Sequence, residues 1–255
     1  MHLVLDIGNT NISLGLFDQD KLIDYWPMES KAEVPVSLYE LGIKNRFIES
    51  NIELNSIQKI TISFVVPELI DPISDMLTLV FGIEPVVVKV ESYPAIAFSI
   101  ENPLELGSDL FCNAIAAHKL IEGGCIIVDL GTALTFTLID AADTIQGVAI
   151  LPGIRTALTS LYLNTAQLPA VPVSKPASSI GRNTASAIQA GVIGGYLGLI
   201  RNKLSEIKRE FGDTLTVMGT GGFAHDLQEL SQLCDQVDPN FTLKGIRIYG
   251  EEVTT

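Results

Sequence analysis

The stretch Cys125 to Asp140, CIIVDLGTALTFTLID, decides how this chain folds. An apolar run, Ile126-Ile127-Val128, ends on Asp129, bends through Gly131-Thr132-Ala133 and restarts at Leu134. The restart alternates apolar residues with threonine, the period-2 pattern of a strand with one polar face. The stretch predicts a β-hairpin with a tight Gly-Thr turn and a carboxylate at the end of its first strand. Gly131 allows close backbone approach, and Thr132 offers an N–H and a hydroxyl. Such groups suit phosphate oxygens, with Asp129 placed to hold a cation.

The same pattern opens the chain. Leu3-Val4-Leu5 runs into Asp6-Ile7-Gly8-Asn9-Thr10, and Asn11 to Phe17 reads as the returning strand. An acidic turn follows in each copy, Asp18-Gln19-Asp20 in the first and Asp140 to Asp143 in the second. Asp6 and Asp129 are separated by close to half of the 255 residues. A repeat at half-length predicts two homologous domains, 1–108 and 109–255, with a loop from each closing on a shared cleft. The chain is long enough for each half to bury a core.

Composition narrows the partners. A hydrophobic content of 47% with 18% charged residues describes an ordinary globular chain. A net charge of −14 argues against non-specific binding to nucleic acid or to an anionic membrane. Attraction for phosphates must then be local, from backbone N–H groups, a bound cation or a few basic residues. Cys112, Cys125 and Cys234 form no CxxC pair and read as reduced thiols of a cytoplasmic protein. The N-terminus reads as a strand without a basic leader, so no signal peptide is expected. No uninterrupted apolar run of about 18 residues predicts a transmembrane helix. His2, His118 and His225 show no spacing for a metal site or a triad.

In order, the first half predicts three strands, a helix over 36–51 with Leu38, Leu41, Phe47 and Ile48 on its apolar face, and a strand over 57–66. A helix from Pro67 and a strand over 84–90 follow. This βββαβαβ order is the ribonuclease-H-like α/β plan, a mixed sheet flanked by helices. Residues 91–107 read as irregular, and 110–121 as a helix. The second half predicts strands at 125–130, 134–140 and 144–151, a helix over 154–163 and a proline-bearing loop, a candidate lid, over 169–176. A long helix over 184–211, a strand at 214–217 and a final helical region from His225 complete it. The first half of the long helix is apolar nearly all round and carries four glycines, which suits close packing against another helix and predicts a homodimer built partly by this helix.

The motifs, taken together, resemble the type III pantothenate kinases of the acetate kinase/Hsp70/actin superfamily. Asp6-Ile7-Gly8-Asn9-Thr10-Asn11 resembles the family's first phosphate motif, and Asp129 to Thr135 its second. Gly107-Ser108-Asp109 with Asn113-Ala114, Leu151-Pro152-Gly153, Asn164 to Pro169, Gly181-Arg182-Asn183-Thr184 and Gly219-Thr220-Gly221-Gly222 follow in family order. The resemblance implies two actin-like ATPase domains and ATP-dependent phosphorylation of pantothenate, the first step toward coenzyme A. It implies Asp109 as catalytic base, and Asp6 as a ligand of the magnesium–nucleotide complex. Asp129 would hold a monovalent cation, potassium or ammonium. Residues 6–11, Thr132, Gly221 and Gly222 would contact the nucleotide. Gly107, Ser108, position 110 and Thr184 would contact pantothenate. It also implies a homodimer.

Two positions depart from the family pattern. The family reads Gly-Ala-Asp-Arg where this chain has Gly107-Ser108-Asp109-Leu110, and a tyrosine where it has Ile100, just before Glu101-Asn102-Pro103. An arginine fork is the natural partner of a carboxylate, and leucine cannot replace it. The phosphate-handling motifs are intact while the acceptor motifs are altered. That leaves two alternatives to pantothenate phosphorylation: a kinase for another small hydroxyl acceptor, or a nucleotide-binding regulatory paralogue.

Overall fold

The computed structural model describes residues 1–30, 34–224 and 231–253. Two compact units form, one from Met1–Ile96, Glu101–Leu120 and the chain from Thr242, the other from Ala97–Ile100 and Ile121–Phe241. The division therefore does not fall after 108. The helix at 108–120 and most of the last helix belong with the N-terminal unit, where the sequence reading had put both in the second.

In the first unit, β1 (His2–Ile7), β2 (Asn11–Asp18), β3 (Lys21–Glu29), β4 (Lys59–Phe64) and β5 (Val86–Val87) form a sheet of order β3-β2-β1-β4-β5. The first three strands are an antiparallel meander, and β4 and β5 add in parallel. Leu3, Leu5 and Ile7 point to one face, into a core closed by α1 (Val36–Glu49) and α2 (Ile70–Phe81). The buried stripe of α1 is Tyr39, Ile43 and Phe47. Leu38, Leu41 and Ile48, expected on that face, are exposed. Only Phe47 of the expected stripe is core. The expected strand over 84–90 shrinks to Val86–Val87, because β5 is an edge strand held by two pairs to β4.

The opposite face carries His2, Val4 and Asp6. Here lie α3 (Ser108–Leu120) and α6 (Phe241–Glu252). A Cβ on Gly245 of α6 would come within 1.9 Å of the Cys112 carbonyl oxygen, so the two helices touch backbone to backbone. The Thr242 hydroxyl donates to Asn113 Oδ1 at 2.8 Å, and Lys59 Nζ donates to the Gly250 carbonyl at 2.8 Å. The helical region expected from His225 begins at 225–230, outside the described residues. The last described helix is α6.

His2 gives this face a pH response. Its Nε2 lies 2.9 Å from Thr61 Oγ1. Burial, then the positive charges of Lys59, Arg247 and the N-terminus, lower its pKa from 6.5 to about 3. Between those values the unfolded imidazole binds a proton and the folded one does not. Stability is therefore full above pH 6.5 and falls as pH drops toward 3. The loss is about 1.4 kcal/mol per pH unit at most. In urea titrations, His2→Gln should flatten the fall in midpoint between pH 7.5 and 5. An equally steep fall in that variant would refute the assignment.

The second unit repeats the plan. β7 (Cys125–Leu130), β8 (Ala133–Ile139), β9 (Thr144–Pro152), β10 (Thr216–Thr220) and β11 (Gln236–Val237) occupy the places of β1 to β5. A short strand, β6 (Ala97–Phe98), joins the outer edge of β9, inside the segment read as irregular. Ile126, Val128 and Leu130 face a core closed by α4 (Ile154–Leu163) and α5 (Thr184–Phe211). Asn183 and Ser186 form a reciprocal capping box at the start of α5. The loop after α4 is tied down, because Gln189 Nε2 donates to the Pro172 carbonyl at 3.2 Å and to Ser174 Oγ at 2.7 Å. Gly191, Gly194, Gly195 and Gly198 are exposed, and a Cβ on any of them would meet nothing within 4 Å among the described residues. Among the described residues, no helix is long and apolar enough to cross a membrane.

Candidate active site

Asp6 sits near the end of β1, paired in register with Ser13 on β2 and Ser63 on β4. The turn beyond it closes with the Gly8 N–H donating to the Asn11 carbonyl at 2.9 Å. A Cβ on Gly8 would lie 3.0 Å from that oxygen. Asn9, Thr10 and Asn11 are exposed, and Ile7 is buried.

Ser63 carries the connection to Asp109. Its hydroxyl lies 2.9 Å from that of Ser108, which also accepts the Phe64 N–H at 2.9 Å. These bonds fix the first turn of α3 against the end of β4. Asp109 follows in that turn, inside the helix rather than ahead of it, with Oδ1 accepting the Leu110 N–H at 2.8 Å. A Cβ on Gly107 would lie 2.4 Å from Asp109 Oδ1, so only glycine leaves the carboxylate where it is. Burial raises the Asp109 pKa, against the backbone N–H groups that lower it. Cys112, one turn on, is fully buried, and burial pushes its thiol up. The negative charges of Asp6 and Asp109 push it further, so both carboxylates belong to one neighbourhood of this unit. Ser108 and Leu110 are 8% and 7% exposed. A ligand at this turn would meet its backbone rather than these two side chains. Ser63 was not singled out from the sequence; its signal is a hydroxyl in an apolar strand at the level of Asp6.

In the second unit, Asp129 is the last residue but one of β7, as Asp6 is of β1. Gly131 N–H donates to the Ala133 carbonyl at 3.0 Å. The Thr132 carbonyl accepts the Gly153 N–H at 2.9 Å and the Thr156 hydroxyl at 2.7 Å, while the Thr132 side chain is exposed. A Cβ on Gly153 would lie 2.3 Å from the Gly131 carbonyl oxygen, which gives the Leu151-Pro152-Gly153 motif its physical reason. Gly221 has φ +92°, and its Cβ would fall 2.4 Å from Asp129 Oδ1. The turn after β10 thus lies directly on the Asp129 carboxylate, with Gly222 exposed beyond it. Thr184 is the exposed first residue of α5, and Ile100 follows β6, half-buried.

Asp129 pairs in register with Thr135 on β8 and Thr220 on β10, so the three side chains share one face. Thr135 Oγ1 and Thr220 Oγ1 are buried with no hydrogen-bond partner among the described residues. Hydroxyl oxygens left unmatched beside a carboxylate fit a hard cation, which takes oxygen ligands. No cluster of three His, Cys, Asp or Glu side chains placed to hold a metal occurs among the described residues. Magnesium usually takes one or two carboxylates and otherwise phosphate oxygens and water, and Asp6 fits that mode.

Known proteins resemble this chain over nearly its whole length. The family model for type III pantothenate kinase matches residues 2–206. A type III pantothenate kinase from an Exiguobacterium species is 36% identical over 251 residues, covering 98% of each chain. One from Bacillus cytotoxicus is 37% identical over 251 residues, covering 98% of this chain and 96% of its own. Among solved structures, an ethanolamine utilization protein from Carboxydothermus hydrogenoformans superposes with a TM-score of 0.56 at 15% identity, over 97% of this chain and 89% of that one. The activator of 2-hydroxyisocaproyl-CoA dehydratase from Clostridium difficile, bound to ADPNP, gives 0.55 at 11% identity, over 99% and 95%. These two share the fold, the actin-like ATPase fold of paired mixed sheets. Sequence and structure together make this chain a member of the type III pantothenate kinase family.

Proposed function

We propose that this chain transfers the γ-phosphoryl group of ATP to the hydroxyl of pantothenate, giving 4'-phosphopantothenate and ADP, the first step of coenzyme A biosynthesis. The observation that carries the reading is Asp109, held in the first turn of α3 by a glycine it requires, with its pKa raised by burial. Phosphoryl transfer needs alignment, charge neutralisation and a group to take the hydroxyl proton. Asp109 takes that proton as the acceptor oxygen bonds to the γ-phosphorus and the bond to ADP breaks. A raised pKa brings it closer to the working pH, where a base is most effective. Asp6 orients the magnesium–nucleotide complex; the metal supplies neutralisation of phosphate charge. Residues 7–11, Thr132, Gly221 and Gly222 contact the nucleotide, and Gly107 and Thr184 the acceptor. A coupled assay of ADP release tests this: release should require pantothenate. Release at the same rate without pantothenate, or none with it, would overturn the reading.

Asp129, with Thr135 and Thr220, holds the monovalent cation. Activity should rise with potassium or ammonium and fall sharply in Asp129→Asn. Equal rates in sodium-only and potassium buffers would contradict this.

The chain works as a cytoplasmic homodimer. Three buried, unpaired cysteines suit a reducing compartment. The exposed glycine face of α5 supports the dimer. A glycine inside a helix costs roughly 0.5–1 kcal/mol relative to alanine, and no neighbour among the described residues requires these four. A close-packed partner helix does, and two-fold closure is the commonest symmetry. Light scattering at micromolar concentration should give twice the chain mass; the mass of a single chain would count against it.

A further inference from the structure

The outer face of α1 is apolar and exposed. Its buried stripe is Tyr39, Ile43 and Phe47, and the side turned away from that stripe carries Leu38, Leu41, Asn45 and Ile48. All four are exposed, Leu38 to 55%, Leu41 to 54% and Ile48 to 76%. They follow one another at spacings of three, four and three residues. Those are the a and d positions of two coiled-coil heptads, with Asn45 at an a position. A single asparagine at a fixes register and oligomer state, at some cost in stability. In the same frame Lys44 is a g position, and Glu49 is the e position five residues on. Within the chain Lys44 pairs with Glu40, and Glu49 lies 3.8 Å from Arg46.

We propose that α1 is a docking face for a second copy of this chain, the two α1 helices lying parallel and in register as a two-heptad coiled coil. Leu38, Leu41 and Ile48 close on their own counterparts, Asn45 meets Asn45, and Lys44 of each copy reaches Glu49 of the other. The charges choose the occupant. A parallel pair sets g of one helix against e of the next heptad in the other. A helix with lysine at g and glutamate at that e is therefore complementary to itself, twice over by symmetry. An antiparallel pair sets Lys44 against Lys44 and forfeits both ion pairs. Four seam residues a side are far fewer than the roughly 20–30 of a stable standard interface, so this contact is weak by itself. It acts beside the α5 face, which belongs to the second unit while α1 belongs to the first. Two self-complementary faces on one chain build assemblies larger than a dimer as concentration rises.

Disulfide trapping in the full chain tests this. Facing a positions of a parallel, in-register pair bring their Cα atoms within disulfide reach, about 4.4–6.8 Å. Cys112, Cys125 and Cys234 are buried and do not compete. Under mild oxidation in air at micromolar concentration, Asn45→Cys should link two chains, and the link should be lost when Leu41→Glu is added. Asp75→Cys, at an exposed position of α2, should stay unlinked. Lys44→Glu should slow the linking of Asn45→Cys, and Glu49→Lys added to it should restore the rate, since the swapped pair is again complementary. Linking of Asn45→Cys no faster than of Asp75→Cys would overturn the proposal. So would linking that survives Leu41→Glu, which would be random collision. A mixture of Leu41→Cys and Asn45→Cys chains that links where Asn45→Cys alone does not would mean an antiparallel pair, and would also overturn it. Leu41, Asn45 and Asp75 are exposed, and α1 covers the sheet face of Leu3, Leu5 and Ile7 rather than that of Asp6. Each variant should therefore fold and keep wild-type turnover. A single-chain mass for wild type by light scattering would remove the α5 dimer and leave the trapping result to decide the α1 face by itself.

Discussion

Asp109→Asn lowers kcat for pantothenate phosphorylation by about 10²–10⁴-fold, the range for loss of a general base, and leaves the KM for ATP unchanged. The amide matches the carboxylate in shape, so it still accepts the Leu110 N–H and still fits against Gly107. What it loses is the capacity to take the acceptor's proton. The wild-type pH profile carries the same information. Burial raises the Asp109 pKa, so the proton that disables the base binds at a higher pH than it would on an ordinary carboxyl. Activity in wild type should therefore fall on the acid side with a midpoint above the usual 3.8, and that limb should be missing from the residual activity of the Asn variant. A variant with wild-type kcat would remove Asp109 from the chemistry and leave it as an element of the helix start.

The hairpins that carry Asp6 and Asp129 were legible because a strand ending on Asp-x-Gly writes its pattern within a dozen residues. The repeat was legible because the same pattern recurs at half-length, and the sheets repeat it in strand order. The boundaries of α4 and α5 were equally plain, since Gly153 and Asn183 start them. Partners were not legible. Periodicity gives a helix a buried face but not the sheet it covers, which is why α3 and α6 were placed in the wrong half. The stripe of α1 is hard to read because its exposed Leu38, Leu41 and Ile48 are as many as its buried Tyr39, Ile43 and Phe47. Of the site, both carboxylates were visible, while Ser63, Thr135 and Thr220 looked like ordinary strand hydroxyls. Their register with Asp6 and Asp129 exists only once the strands pair. A glycine needed for close approach, such as Gly153 or Gly221, reads in sequence like any turn glycine.

Gly245 is the sharpest case, and it carries the largest stability effect expected here. In the middle of a helix, Gly→Ala is normally favourable by roughly 0.5–1 kcal/mol. At Gly245 the sign should reverse. The new Cβ would meet the Cys112 carbonyl oxygen at 1.9 Å and its carbonyl carbon at 2.6 Å. Both atoms are backbone in the middle of α3, where Phe111, Cys112, Asn113 and Ala114 are wholly buried, so no side chain can swing aside. Relief requires α6 to move off α3, which strains the Thr242–Asn113 bond and draws Lys59 from the Gly250 carbonyl. Overpacking of this kind costs about 3 kcal/mol, the upper part of its usual range. Gly245→Ala should show it as a lower urea midpoint and a lower Tm. Because α3 also carries Asp109, kcat should fall at temperatures where the variant is still folded. An unchanged midpoint would mean that α6 does not pack on α3 at this distance, and the placement of the C-terminal helix in the first unit would have to be abandoned.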